Sequence, residues 1–140
     1  MKVVYFTDRD LGRQFPGILR DAGLTVERHA GHFAQNAPDQ EWLAKVGAKG
    51  WVALTHNSRI RYTPNEFQAV IAYNVRLLVI IGHAPYPLLA RSFVATRARV
   101  EAFLAKHEPP FIAKVYRASP TELEKKPDSP GSVQLWYPAV

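Results

Sequence analysis

Two carboxylates, Asp8 and Asp10, stand in the stretch TDRDLG, directly after the apolar run Val3-Val4-Tyr5-Phe6. A third acid, Asp39, opens DQEWLAKVGAKG, and His56 and Asn57 follow the apolar WVALT of residues 51–55. His83 follows RLLVIIG in the same manner. Carboxylates gathered at one place repel one another unless a cation sits between them. Hard divalent cations such as Mg²⁺ prefer oxygen ligands and keep several waters. Such an ion can generate a hydroxide nucleophile and stabilise the charge building on a phosphodiester. Arg9, Arg59 and Arg61 flank these acids, and guanidinium groups are suited to phosphate. The chemistry suggested is metal-dependent phosphoryl transfer.

Each residue also has a structural use. Asp39 fits as a helix N-cap, and one of Asp8 and Asp10 fits as the cap of a first helix. Glu66 closes Thr63-Pro64-Asn65-Glu66, a capping-box pattern, and is read as a cap partner rather than a ligand. Trp42 and Trp51 occupy core-like positions. The five histidines are scattered without ligand spacing, and Arg59 and Arg61 suit a solvated loop. A strand followed by Asp-x-Asp also resembles the start of haloacid dehalogenase-type phosphatases, in which Asp8 would be a nucleophile towards phosphomonoesters. That motif continues with Thr or Val two residues after the second Asp, where this chain has Gly12.

The elements that must position these groups follow from periodicity. Short unbroken runs at 3–6, 51–55, 76–82 and 111–117, with LTVERH at 24–29, predict five strands, buried on both faces where the run is wholly apolar. Between them lie helical patterns. Leu11, Phe15, Ile18, Leu19 and Ala22 predict a first helix ending at Gly23, with Pro16 either restarting or kinking it. Residues 39–50 predict a second, 64 to about 74 a third, and 86–106 a fourth striped by Leu89, Phe93, Thr96, Val100 and Leu104. Residues 30–38 read as loop. The charged, proline-rich 118–131 reads as loop or linker, and SVQLWYP as either a packed tail or an extra strand pairing with 111–117. Alternating strands and helices imply an α/β fold with a parallel sheet covered on both faces. Ligands in such sheets bind beyond the carboxyl ends of the strands, which is where Asp8 and Asp10 fall. The expected organisation is one α/β domain over 1–117 and a tail over 118–140.

The 140 residues suffice for one domain with a core, and 47% hydrophobic against 21% charged residues indicates a globular chain. No apolar run is long enough to span a membrane, no signal peptide is evident, and cysteine is absent, which excludes disulfides and thiolate metal sites. A cytoplasmic protein is the expectation. The net charge of +6 is compatible with a polyanionic partner.

FTDRDLGRQFPGILRDAG, followed by APDQEWLAKVGAKGWVALTHNSRIR, resembles the PIN-like domains of the VapC-type toxin group over about residues 1–105. The resemblance rests on the order and spacing of an Asp-Arg start, a PD-x-EWL helix start, and GWV-x-LT followed in the group by an acid and RI. It implies a three-layer α/β/α sandwich with a central, mainly parallel sheet, and an endoribonuclease dependent on Mg²⁺ or Mn²⁺. It further implies RNA as substrate, a cognate antitoxin protein and a homodimer. Asp8 matches the first acid of the group and Asp39 the second. The third falls at Asn57, whose neutral side chain would weaken metal binding, with Asp10 the residue able to supply the missing charge. Arg9, Arg59 and Arg61 would then face RNA. The alternative is a PIN-like module that has lost catalysis and binds RNA or a protein.

Overall fold

The computed structural model describes residues 2–138, so Met1, Ala139 and Val140, at the two ends of the expected domain and tail, lie outside the described residues. Six strands form one sheet: β1 (Val4–Thr7), β2 (Thr25–Arg28), β3 (Val52–Thr55), β4 (Arg76–Ile80), β5 (Phe111–Tyr116) and β6 (Ser132–Tyr137). Their order is β2-β1-β3-β4-β5-β6, with the first five parallel and β6 antiparallel to β5. Five helices join them: α1 (Gln14–Asp21), α2 (Asp39–Lys49), α3 (Pro64–Ala72), α4 (Tyr86–Lys106) and α5 (Pro120–Lys125). The result is the expected α/β architecture, a mostly parallel sheet between two helical layers.

The alternation of each strand divides its side chains between two cores. Tyr5 turns with Val52, Leu54, Leu78, Ile80, Phe111 and Ala113 towards α1 and α4. Phe6 turns with Ala53, Leu77, Val79 and Ile112 towards α2 and α3. Phe6 stacks on Trp42, with centroids 5.4 Å apart, and on Trp51, at 6.3 Å. The two tryptophans are thus packing residues, as their positions imply.

The steps β3–α3–β4 and β4–α4–β5 run the same way across the sheet, yet α3 and α4 lie on opposite faces. One of these crossovers therefore departs from the usual right hand. The apolar stripe of α4 accounts for its side: Phe93 meets Tyr5 edge-on at 5.5 Å and Phe15 at 6.3 Å, joining α4 to α1. On the other face Trp136 and Tyr137 of β6 pack against the core, Tyr137 meeting Phe67 of α3 edge-on at 4.8 Å.

Local structure departs from expectation at four places. Pro16 does not kink α1, which starts anew at Gln14 after the 3-10 turn Arg9–Leu11, so Pro16 is not its first residue. It is the third residue of the helix, in the first turn, where a missing N–H removes no intrahelical bond. Asp39 is the first helical residue of α2 and not its cap, a position filled by Pro38. Thr63 caps α3 without a side-chain hydrogen bond, so the capping box read there does not form. The one that does is Ser119 with Glu122, at the start of α5, inside the segment expected to be loop or linker.

That segment is pinned to α4. Thr96 Oγ1 donates to Ser92 O at 2.7 Å and accepts from the Gly131 N–H at 2.9 Å, while Arg99 Nη1 donates to Gly131 O at 2.6 Å. Gly131 passes so close to the Tyr116 carbonyl that a Cβ would lie 1.6 Å from its oxygen. The chain then enters β6 with its register set.

Candidate active site

In the order β2-β1-β3 the chain leaves β1 in one direction and returns past it to β3. The carboxyl ends of β1 and β3 are therefore the switch point at which open α/β sheets bind ligands. Asp8 and Asp10 follow β1 there, and Thr55, His56 and Asn57 end or follow β3. Crossover helices run back from this edge, so α2 and α3 begin near it with Asp39 and Glu66 in their first turns, where a helix N-terminus favours negative charge.

The centre of the arrangement is Thr55, which no motif in the sequence marks. Its hydroxyl lies 3.0 Å from Asp8 Oδ2 and 3.1 Å from Asp10 Oδ2, and accepts the Asn57 N–H at 3.1 Å. One hydroxyl proton cannot serve two carboxylates fully, so the pair competes for it. Asp8 Oδ1 accepts the Arg9 N–H at 2.7 Å, capping a 3-10 turn over Arg9–Leu11. Asp10 Oδ2 also accepts the His56 N–H at 3.1 Å, whereas Asp10 Oδ1 is buried with no partner.

Burial, then the charge of Asp10, pushes the Asp8 carboxyl up to about 7. Asp10 is raised by burial too, opposed by the Thr55 hydroxyl and the His56 N–H. Asp39 is held by the Trp42 indole, which donates to Oδ1 at 2.9 Å, and by Arg9, whose Nη2 lies 3.6 Å from the same oxygen. Glu66 faces Asp39. Burial, then a hydrogen bond with Asp39 and its charge, lifts the Glu66 carboxyl to about 7. The charge of Asp39 is felt at Asp8 and at Asp10 as well, so four acids share one field.

Asn57 Oδ1 accepts the Arg59 N–H at 3.1 Å and so caps the 3-10 turn Ser58–Arg61. His56 Nε2 lies 2.9 Å from the Gly82 carbonyl, an acceptor only, so that nitrogen carries the proton, and its ring meets Tyr86 edge-on at 5.9 Å. His83 is exposed, and none of the hydrogen bonds at the acids involves it. Arg59 is exposed beside Asn57. Arg61 is drawn elsewhere, its guanidinium 4.6 Å from the Phe67 ring, 5.3 Å from Tyr137 and 5.8 Å from Tyr62. Arg61→Ala is expected to lower stability by about 1–2 kcal/mol through the lost cation–π and packing contacts. Arg59→Ala should stay within roughly 0.5 kcal/mol. Urea unfolding of both variants checks the contrast, and equal losses would contradict it.

Among the described residues, no three His, Asp or Glu side chains converge closely enough to form a ready metal cage. Mg²⁺ seldom needs one. It is commonly held by one or two carboxylates, its own waters and substrate phosphates. Asp8 and Asp10 fit that mode, with an orphaned carboxylate oxygen on Asp10 and two acids whose charging burial opposes. A family model described as a PIN-like domain matches residues 3–82, which span β1 to the end of β4 and every acid of the cluster. No curated protein and no solved structure matches the chain.

Proposed function

Because the chain belongs to the PIN-like domain family, we propose that it is a metal-dependent endoribonuclease working at the carboxyl edge of β1 and β3. The observation that carries this reading is the buried Asp8–Asp10 pair on one hydroxyl, with Asp10 Oδ1 unpartnered. Asp8 and Asp10 would hold Mg²⁺ or Mn²⁺, with Asp39 adding charge to the site. Such an ion, when bound, supplies the positive charge that stabilises a phosphodiester under attack and lowers the pKa of water. Thr55 keeps the two carboxylates in register, and the backbone of His56 fixes Asp10. Asn57, in this reading, positions the Arg59 turn, and through it a cation for the RNA backbone. Glu66, with its proton retained to near neutrality beside Asp39, is suited to pass a proton to or from the reacting strand. The net charge of +6 supports a polyanionic substrate. In the VapC-type form of the proposal the protein is the toxin of a toxin–antitoxin pair, with an antitoxin partner and a homodimer.

A second reading is a PIN-like module that binds RNA or a protein without cleaving. It is favoured by Asn57, neutral where the resembling group has an acid, and with its side-chain oxygen engaged as a cap. Calorimetric titration with Mn²⁺ separates the two. The first expects wild type to bind and Asp8→Asn to fail, with Asn57→Asp binding more tightly. Failure of wild type to bind, with binding restored in Asn57→Asp, would replace the nuclease by the non-cleaving module.

A further inference from the structure

Beside the carboxylates, where β1 and β2 end, the surface opens into a cavity of about 440 Å³. That is the size of a small-ligand site, which typically spans roughly 300–1,000 Å³. Asp8 forms one part of the wall, and Arg9, Arg13 and Arg28 give the rest a cationic side. Arg9 is tied to Asp39 and to the Ala37 carbonyl, at 2.9 Å. Arg13 and Arg28 make no ion pair among the described residues. Two guanidinium groups without acids beside a buried carboxylate pair are a phosphate-binding arrangement.

A second observation is independent of charge. His29 lines the cavity and is 2% exposed, and its Nε2 is buried with no hydrogen-bond partner. A buried ring nitrogen left unpaired costs about 1–3 kcal/mol, and a ligand atom in the cavity would supply the missing bond. Phe33 adds an aromatic ring to the wall and Gln35 an amide. Aromatic rings stack on bases whatever their identity, and an amide can read a base edge. Phosphate donors, a ring, an amide and an unpaired imidazole within one cavity match the parts of a nucleotide.

We propose that this cavity holds one nucleotide of the RNA strand next to the bond at the carboxylates. Its phosphate lies between Arg13 and Arg28, its base stands against Phe33, and His29 Nε2 hydrogen-bonds to it. The identity of the strand rests on the nuclease reading; the pocket itself does not.

Calorimetry in EDTA tests the pocket without any metal. Adenosine 5′-monophosphate, uridine 5′-monophosphate, adenosine and inorganic phosphate are titrated in turn into wild type, Arg13→Ala/Arg28→Ala and Phe33→Leu. At least one monophosphate should bind wild type, and the double arginine variant should weaken it tenfold or more. Phe33→Leu should weaken the monophosphate and leave inorganic phosphate unchanged. Absence of monophosphate binding to wild type, or binding indifferent to both arginines, overturns the proposal. Inorganic phosphate binding as tightly as either monophosphate overturns it too, since the pocket would then be a simple anion site. Failure of the nuclease reading shows differently, as absent metal-dependent cleavage with monophosphate binding intact.

Discussion

For the proposed nuclease, Asp8→Asn is expected to abolish RNA cleavage and, without metal, to make the protein more stable than wild type above neutral pH. The two effects have one cause. Asp8 is 6% exposed, and its carboxyl is raised from 3.8 to about 7, by burial first and then by Asp10. The unfolded chain releases this proton near pH 4, whereas the folded protein keeps it to about 7. Between those values the folded state binds more protons, so stability falls as pH rises, by about 4 kcal/mol at most across the window. Asparagine removes that dependence and suits the local bonds. Its oxygen still accepts the Arg9 N–H, its amide donates to Thr55 Oγ1, and the Thr55 hydroxyl is then free to donate to Asp10. Urea unfolding in EDTA should give equal stability for the two proteins at pH 4 and a clear advantage for Asp8→Asn at pH 8. Mn²⁺ at pH 8 should then raise wild-type stability and leave the variant unchanged. Loss of metal-supplied charge stabilisation is worth several kcal/mol, about a thousandfold in rate. Cleavage by Asp8→Asn within tenfold of wild type would remove Asp8 from the site. A wild-type stability that does not fall with pH would remove the account of its burial.

What the sequence discloses about this site follows the range of the interactions involved. The strands are legible because β-branched and aromatic runs flanked by turns have few other uses. Asp8 and Asp10 are legible because a strand end in a parallel sheet is a defined place. Thr55 is not, since its importance depends on β3 lying beside β1, and the order β2-β1-β3 is a long-range fact. Glu66 is hidden for a different reason: Thr-Pro-Asn-Glu is a strong local signal for a capping box, and the side chain, still bonded to Thr63, also reaches Asp39. Trp42 reads as core, which it is, yet its indole also holds Asp39. The Arg13–Arg28–His29 cavity has no motif at all, as its walls come from the start of α1, the end of β2 and the turn after it. Helix α4 shows the same limit in the fold. Its apolar stripe is plain in the sequence, but the face of the sheet it covers is decided by Tyr5 and Phe15, far away along the chain.

Gly47 gives the sharpest separation between local and tertiary reasoning. It lies inside α2, in AKVGAKGW, where helix propensity alone makes Gly→Ala stabilising by roughly 0.8–1.0 kcal/mol. The structure reverses the sign. A Cβ on Gly47 would stand 2.0 Å from the Tyr73 carbonyl oxygen and 2.9 Å from its carbon. These atoms are backbone at the end of α3, so no side-chain rotation relieves the overlap. Helices α2 and α3 would have to move apart, and over-packing of this kind costs about 1–3 kcal/mol or more after any propensity gain. Gly47→Ala is therefore expected to lower the melting temperature by about 4 °C or more. The displacement also reaches the site, because α2 begins with Asp39 and α3 carries Glu66 in its first turn. Cleavage by the folded variant should fall, although Gly47 touches none of the acids. Gly17 is the control. It sits in α1, where a Cβ would meet nothing within 4 Å, so Gly17→Ala should show the propensity gain alone. Thermal unfolding of both variants tests the packing: a more stable Gly47→Ala would mean that α2 and α3 do not meet at Tyr73.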